Sequence, residues 1–227
     1  KSAFYGTYND PMYVGYMYGT TGSLGNNRLN TNNSAIKTYI DSWYNNNLLS
    51  YSKYISTEAV YCNDRELEPG ETYSTGNSGF HYAPNGRLVT NKTPTYNCTN
   101  IKDAFSGSNS EAKLTYPIGL MTADELAYAG GKDLTNSYAW YYLNSAGGSI
   151  TGDTMWWSLS PIGWNGSYSY VLYVSGSGAP GYLSYFYVHY SYGVRPVLSL
   201  KSCIKYSTGN GAPETPYEIV SDPNISC

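Results

Sequence analysis

The sequence predicts a single domain of mixed α+β class, organised around a strand-rich stretch near its C-terminal end. Three observations carry that expectation. Helix signals open at Ser34 and at Thr122, among segments that read as strands or loops. From Trp156 to Leu200, β-branched and aromatic residues recur at strand spacing. No Pro/Ser linker or charge run divides the 227 residues.

Taken in order, Phe4 to Tyr18 alternates aromatic with small residues and reads as a strand or hairpin, with Asp10-Pro11 as a turn signal. A Gly/Asn-rich loop follows, from Gly19 to Asn33. Ser34 then opens a helix whose Ile36, Tyr39, Ile40, Trp43 and Tyr44 fall on one apolar face, and Asn45 to Asn47 end it. Tyr54 to Tyr61 reads as extended. From Asn63 to Gly119 the chain is mostly loop, too long to stand unaided. Packing of Phe80, Leu88 and Phe105 and a Cys62–Cys98 bridge are expected to order it. A strand over Leu114 to Leu120 leads to Thr122-Ala-Asp-Glu125, a capping box, and that helix stops at Gly130-Gly131. Another strand is expected at Tyr138 to Leu143, before the one at Trp156.

Charged residues make up 13% of the chain and the net charge is −3, which argues against a phosphate-binding surface and so against a nucleic-acid partner. No apolar run is long enough to cross a bilayer, and no signal peptide is visible. A chain opening on Lys1 suits a mature ectodomain or a trimmed piece, with any membrane anchor lying outside it. Cys62, Cys98, Cys203 and Cys227 have neither C-x-x-C spacing nor a nearby His pair, so disulfides are expected rather than zinc. Three connectivities exist; Cys62–Cys98 with Cys203–Cys227 is preferred because each closes a local loop.

Between Asn165 and Tyr192 the chain is almost entirely Tyr, Ser, Gly, Val and a few other small or aromatic residues, with no Lys, Arg, Asp, Glu, Gln, Met or Trp. A core cannot hold so many phenols, because each buried hydroxyl needs a partner. Tyr with Ser and Gly is the composition of a binding surface, where a stiff two-χ ring gives contact area at low entropy cost.

PIGLMTADELAYAGG (Pro117 to Gly131), WWSLSP (Trp156 to Pro161), YGVRPVLSL (Tyr192 to Leu200) and the Gly209 to Tyr217 element occur in this order, preceded by YIDSWY (Tyr39 to Tyr44), CNDR (Cys62 to Arg65) and TNKTPT (Thr90 to Thr95). Together they resemble bacterial surface proteins of C-type-lectin-like fold, of the gut Firmicutes type and related in fold to formylglycine-generating enzymes. The resemblance covers the chain from about Ser34 onward. It implies two helices around a twisted, mainly antiparallel sheet with long loops. Some such proteins are variable proteins of diversity-generating retroelements, in which Asn codons become codons that cannot encode Lys, Glu, Gln, Met or Trp. The window Asn165 to Tyr192 contains none of the five.

On this resemblance, Gly193 to Pro196 closes the variable region, and Val171, Val174, Leu183 and Val188 point inward. Tyr168, Tyr170, Leu172, Tyr173, Tyr182, Tyr185, Tyr187, His189 and Tyr190 form the exposed, diversified ligand-binding set. Strand alternation independently puts Tyr185, Tyr187 and His189 on one face. Gly176, Gly178 and Gly181 interrupt the strands and could place a loop or bulge there. The implied function is extracellular ligand binding at a bacterial cell surface, with no cofactor. The partner is a protein on another cell, a phage or a host, or else a glycan.

Other chemistry has weaker residues behind it. The calcium lectin signature is missing: Ala83-Pro84-Asn85 lacks its acid and Trp164-Asn165 runs on to Gly166. Asp64, Glu66, Glu68 and Glu71 read as a solvated acidic loop, without a metal. A formylglycine-generating oxidase needs reactive thiols, and the cysteines are better used as staples. His81 and His189 have no nucleophile setting, and Asp124 and Glu125 serve the helix start. A pilus or surface-layer subunit, burying its tyrosines in subunit contacts, remains the structural alternative.

Overall fold

The computed structural model describes residues 1–133, 155–175, 182–212 and 214–220. Its frame is a five-stranded sheet of β1 (Phe80–His81), β2 (Lys132–Asp133), β3 (Met155–Trp164), β4 (Ser169–Ser175) and β5 (Tyr182–Tyr187), in spatial order β1-β3-β4-β5-β2. Neighbours are antiparallel except β5 and β2, which run parallel. With the three α-helices among the described residues, Leu24–Asn27 (α1), Ala35–Asn47 (α2) and Ala123–Tyr128 (α3), the architecture is α+β and mostly antiparallel. The strand expected at Tyr138 to Leu143 and the glycines 176, 178 and 181 lie outside the described residues.

Strand β3 is buried from Trp156 to Trp164, because both of its faces are covered. Trp157, Leu159 and Trp164 enter one core cluster with Phe4, Ile36, Ile40, Phe80 and Phe105; Trp156 and Ile162 enter a second with Leu88, Leu126, Leu172, Val174 and Leu183. From the pair Tyr173↔Trp157 to the pair Tyr170↔Gly163, β4 advances three residues and β3 six. The surplus is a bulge, which is where Pro161 can sit without costing a ladder hydrogen bond. Polar groups freed there find partners. Ser158 Oγ donates to the Leu172 carbonyl, Leu159 N–H donates to Met121, the Leu159 carbonyl accepts from Asn63 Nδ2, and Ser160 Oγ accepts from Ala123 N–H. The bulge thus ties α3 and the Cys62 segment to the sheet.

Between β3 and β4, Asn165 Oδ1 accepts from the N–H groups of Ser167 and Tyr168. Gly166 has φ 91°, and an added Cβ would stand 2.2 Å from the Asn77 carbonyl, so the turn requires glycine.

Ser34 caps α2, accepting from Lys37 N–H while donating to the Tyr16 carbonyl. The buried face of α2 is Ile36, Lys37, Ile40 and Tyr44; Tyr39 and Trp43, expected on it, are 43% and 40% exposed. Lys37 displaces them: its stem is buried, and its ammonium pairs at 2.5 Å with Asp41 one turn on. The capping box at Thr122 forms as expected, and α3 ends at Tyr128, just before Gly130 with φ 97°.

The N-terminal segment is neither a long strand nor a hairpin. Ser2–Ala3 pairs with Ser191–Tyr192, and Pro11–Val14 forms a 3₁₀ turn capped by Asp10. Leu49–Tyr54 is likewise a 3₁₀ helix just ahead of the segment expected to be extended, and the strand expected over Leu114 to Leu120 shortens to Gly119–Leu120. The closing stretch Tyr192 to Leu200 is laced to several partners in turn: Tyr192 to Ser2, Gly193 to Trp156, Pro196 to Leu120 and Leu200 to Ile55. Arg195 lies 3.6 Å over the Trp156 ring.

The long loop region is ordered by the Cys62–Cys98 disulfide and by buried Phe80, Leu88 and Phe105. A π-helical turn at Asn85–Thr90 and a buried ion network add to this. Arg65 and Asp103 are each about 1% exposed and pair at 2.7 Å, while Arg28 reaches the same carboxylate. Arg65 also donates to the Met17, Asn27 and Lys102 carbonyls and to Asn30 Oδ1, so the buried guanidinium is well satisfied. Cys203 is disulfide-bonded as well; Cys227, its expected partner, lies outside the described residues.

Among the described residues, no helix is long and apolar enough to cross a membrane.

Candidate functional site

The β4–β5 register decides which of the expected contact residues stand together. Tyr170 pairs with Tyr187, Leu172 with Tyr185 and Val174 with Leu183, so these six share one face. Val171, Tyr173 and Ser175 pair with Phe186, Ser184 and Tyr182 on the other.

On the first face a ribbon of rings runs without a break. Tyr185 meets Tyr170 edge-on at 5.8 Å, Tyr170 meets Tyr187 at 4.9 Å, and Tyr187 meets Tyr168 at 4.5 Å. Beyond the end of β5 the chain turns. The His189 ring still lies 5.8 Å from Tyr187 and 4.7 Å from Tyr190. Tyr185 and Tyr190 are exposed, and Tyr168, Tyr170, Tyr187 and His189 are half-buried. The expected inward set, Val171, Val174, Leu183 and Val188, is buried throughout.

Three of the expected contact residues are elsewhere. Leu172 is 1% exposed, packed in the second core cluster beside the ribbon, because its stretch of the face is covered by α3 and the Leu88 turn. Tyr173 points to the opposite face, with its ring at 4.9 Å from Tyr192 and 6.2 Å from Trp157. Tyr182 shares that opposite face, at the β2 edge of the sheet. The period of two separates them from Tyr185 and Tyr187.

The ribbon also has a member from far away in sequence. Tyr8 stacks on Tyr168 at 4.7 Å and covers His189 at 4.4 Å. It is held there by Ser169 N–H donating to the Tyr8 carbonyl and by Tyr5 N–H donating to Val188. Nothing local in the Phe4–Tyr18 segment announces this contact; its aromatic alternation was the available signal.

The ribbon is electrically quiet. Burial and the hydrogen bond with Tyr187 push the Tyr170 hydroxyl well above the ordinary phenol range, so it is neutral at any physiological pH. Asn165 Nδ2 donates to that hydroxyl. Burial lowers the pKa of His189 below the ordinary imidazole value, and its Nδ1 has no hydrogen-bond partner. A neutral, ring-lined surface on a rigid sheet suits recognition through apolar area and phenol hydrogen bonds.

Beside the ribbon lies a cleft of about 170 Å³, lined by His81, Asn85, Gly163, Asn165, Tyr170 and Tyr185 among others. Its His81 sits on β1 rather than in a loop. The four acids expected to form a solvated loop are each half-buried and engaged. Asp64 pairs with Arg87, Glu66 with Arg28, Glu68 with Asn85, and Glu71 with His81. Desolvation raises the Asp64 pKa against the pull of Arg87. Arg87 also grips Asp124 through two nitrogens, so Asp124 does more than face the α3 dipole. Glu68, Glu71 and His81 bring ligand-type atoms within 4.8 Å of one another, the one such trio among the described residues; each already has a protein partner.

No protein-family model, no curated protein and no solved structure matches the chain.

Proposed function

We propose that the protein is an extracellular ligand-binding protein of a bacterial cell surface, built on a C-type-lectin-like fold. Its binding surface is the tyrosine ribbon of the β4–β5 hairpin, diversified by a retroelement. The observation that carries this reading is the unbroken run of rings from Tyr185 through Tyr170, Tyr187 and Tyr168 to Tyr8, on one face of a buried sheet. The rings are pre-positioned by packing, so little side-chain entropy is lost when a partner covers them. The Cys62–Cys98 bridge supports an oxidising compartment. The partner on this reading is a protein on another cell, a phage or a host, bound without turnover.

The test is genomic. A nearby reverse transcriptase and a near-copy of the Trp156–Leu200 coding segment, differing only at template adenines, are expected. The mismatched codons should fall at Tyr168, Tyr170, Tyr185, Tyr187, His189 and Tyr190. Absence of both elements would reduce the ribbon to a fixed surface and end the diversification reading.

An assembly subunit is the second reading. An apolar groove of about 380 Å³, lined by Leu48, Tyr51, Ile55, Leu198, Tyr217 and Ile219 among others, favours it. Sedimentation over a wide concentration range decides: a monomer throughout would rule it out.

A further inference from the structure

The cleft beside the ribbon has a construction of its own. Across the sheet, His81 of β1 pairs with Gly163 of β3, Gly163 with Tyr170 of β4, and Tyr170 with Tyr187 of β5. Directly paired residues share a face, so this is one row of side chains with a gap at the glycine. The gap is obligatory. A Cβ on Gly163 would stand 2.6 Å from the Phe80 carbonyl and 3.3 Å from His81 Cδ2, so the close approach of β1 excludes any larger residue. The floor of the cleft is therefore backbone. One wall is aromatic, from Tyr170 and Tyr185; the other is polar, from His81 and Asn85.

The polar wall has a defined hydrogen-bonding sense. Glu71 lies 3.0 Å from His81 Nδ1, and in the neutral imidazole a carboxylate there holds the proton on Nδ1, so that Nε2 accepts. Asn85 Nδ2 donates to Glu68, which leaves the Asn85 carbonyl oxygen as an acceptor. Both carboxylates are spent on orienting these groups. The wall thus offers acceptors to hydroxyl donors, opposite a ring that offers a flat apolar surface. At about 170 Å³ the cleft is smaller than sites for drug-sized ligands and has room for about one six-membered ring.

We infer that this cleft is a subsite for one neutral hexopyranose of a glycan carried by the ligand, its hydroxyls donated to His81 and Asn85 and its C–H face laid on Tyr185. The inference rests on the ribbon being the binding surface and adds a sugar-reading pocket whose polar wall lies outside the variable window. A single pyranose in so small a site is expected to bind with a dissociation constant on the order of 1 mM.

The probes are the methyl pyranosides of glucose, galactose, mannose and N-acetylglucosamine, titrated into the intact protein and followed by saturation-transfer NMR. At least one of the four should saturate. His81→Ala and Tyr185→Ala should each weaken it about tenfold or more, as expected for losing a main contact. Tyr96→Ala, an exposed ring outside both the cleft and the ribbon, should leave it unchanged. Circular dichroism of the variants separates loss of contact from loss of fold, and His81 and Tyr185 are exposed enough for the fold to survive. No saturation by any of the four, or saturation that persists in both cleft variants, overturns the inference. These measurements read the cleft alone, so a negative result leaves the ribbon to be judged by the genomic search, and a missing template repeat leaves the pyranoside result intact.

Discussion

Phe186 and Tyr187 are neighbours in the chain and sit on opposite faces of β5. Tyr187 lies among Tyr168, Tyr170, His189 and Tyr190 on a surface open to partners. Phe186 shares its face with Tyr173 and reaches Tyr192, and those two rings pack on Trp157; Tyr190, where the chain turns beyond β5, meets Phe186 edge-on at 4.6 Å. The two sets have nearly the same composition and different jobs. On the inner face the rings close the core over the N-terminal strand, where Trp157 Nε1 donates to the Ser2 carbonyl. On the outer face they continue the row of Leu172, Val174 and Leu183 beyond the part that α3 covers, and Tyr185 and Tyr190 stand exposed. A tyrosine count therefore says little about binding; the face on which each ring falls says most of it.

The comparison is broken most strongly from the inner side. Trp157→Ala removes a side chain about 1% exposed from the centre of the main cluster and should cost about 3–5 kcal/mol in urea unfolding. A loss under about 1 kcal/mol would mean that the inner face is not core. Tyr173→Ser should cost less, about 1–3 kcal/mol, since its ring is half-buried. Tyr185→Ser together with Tyr190→Ser should stay within about 0.5 kcal/mol per site, because both rings are exposed. If the outer pair proves as costly as Tyr173, the division between the faces is wrong.

Two smaller effects sharpen it. Tyr8→Ser uncovers His189, whose pKa is lowered by burial, so the imidazole should titrate at higher pH in the variant when followed by NMR. An unchanged titration would place the cover elsewhere. Alkaline stability reports on buried phenols. Burial raises Tyr61, Tyr73 and Tyr192 to about 12, above an unfolded value near 10. Between those limits the unfolded chain has released protons that the native state still holds, so stability is lost as pH rises through the window. The melting temperature should hold steady up to pH 9 or so and fall above pH 10; a flat profile to pH 12 would contradict the burial of these rings.

Much of the local structure was legible in the residues. Ser34 and Thr122 are capping residues whose side chains satisfy helix N–H groups in any context, and both helices start where expected. Val171, Val174, Leu183 and Val188 read as inward, and are. Errors arose where a distant group changed the local answer. Lys37 took a buried place on α2 because Asp41 stands one turn away, which turned Tyr39 and Trp43 to solvent. The acidic loop became a set of pairs because Arg28 and Arg87 come from other parts of the chain.

For the candidate site, sequence alone supplied the ring types, the rigid strands that carry them and the alternation that joins Tyr185 to Tyr187. These follow from side-chain chemistry and the two-residue period, which need no partner. Tertiary structure decided the rest. The β4–β5 register sent Tyr173 and Tyr182 to the other face, the α3 side buried Leu172, and the N-terminal segment brought Tyr8 onto the ribbon. The cleft exists because β1, some eighty residues before β3 in sequence, approaches Gly163 too closely for a side chain. Such contacts depend on which distant backbones share hydrogen bonds, and no local pattern of residues specifies that.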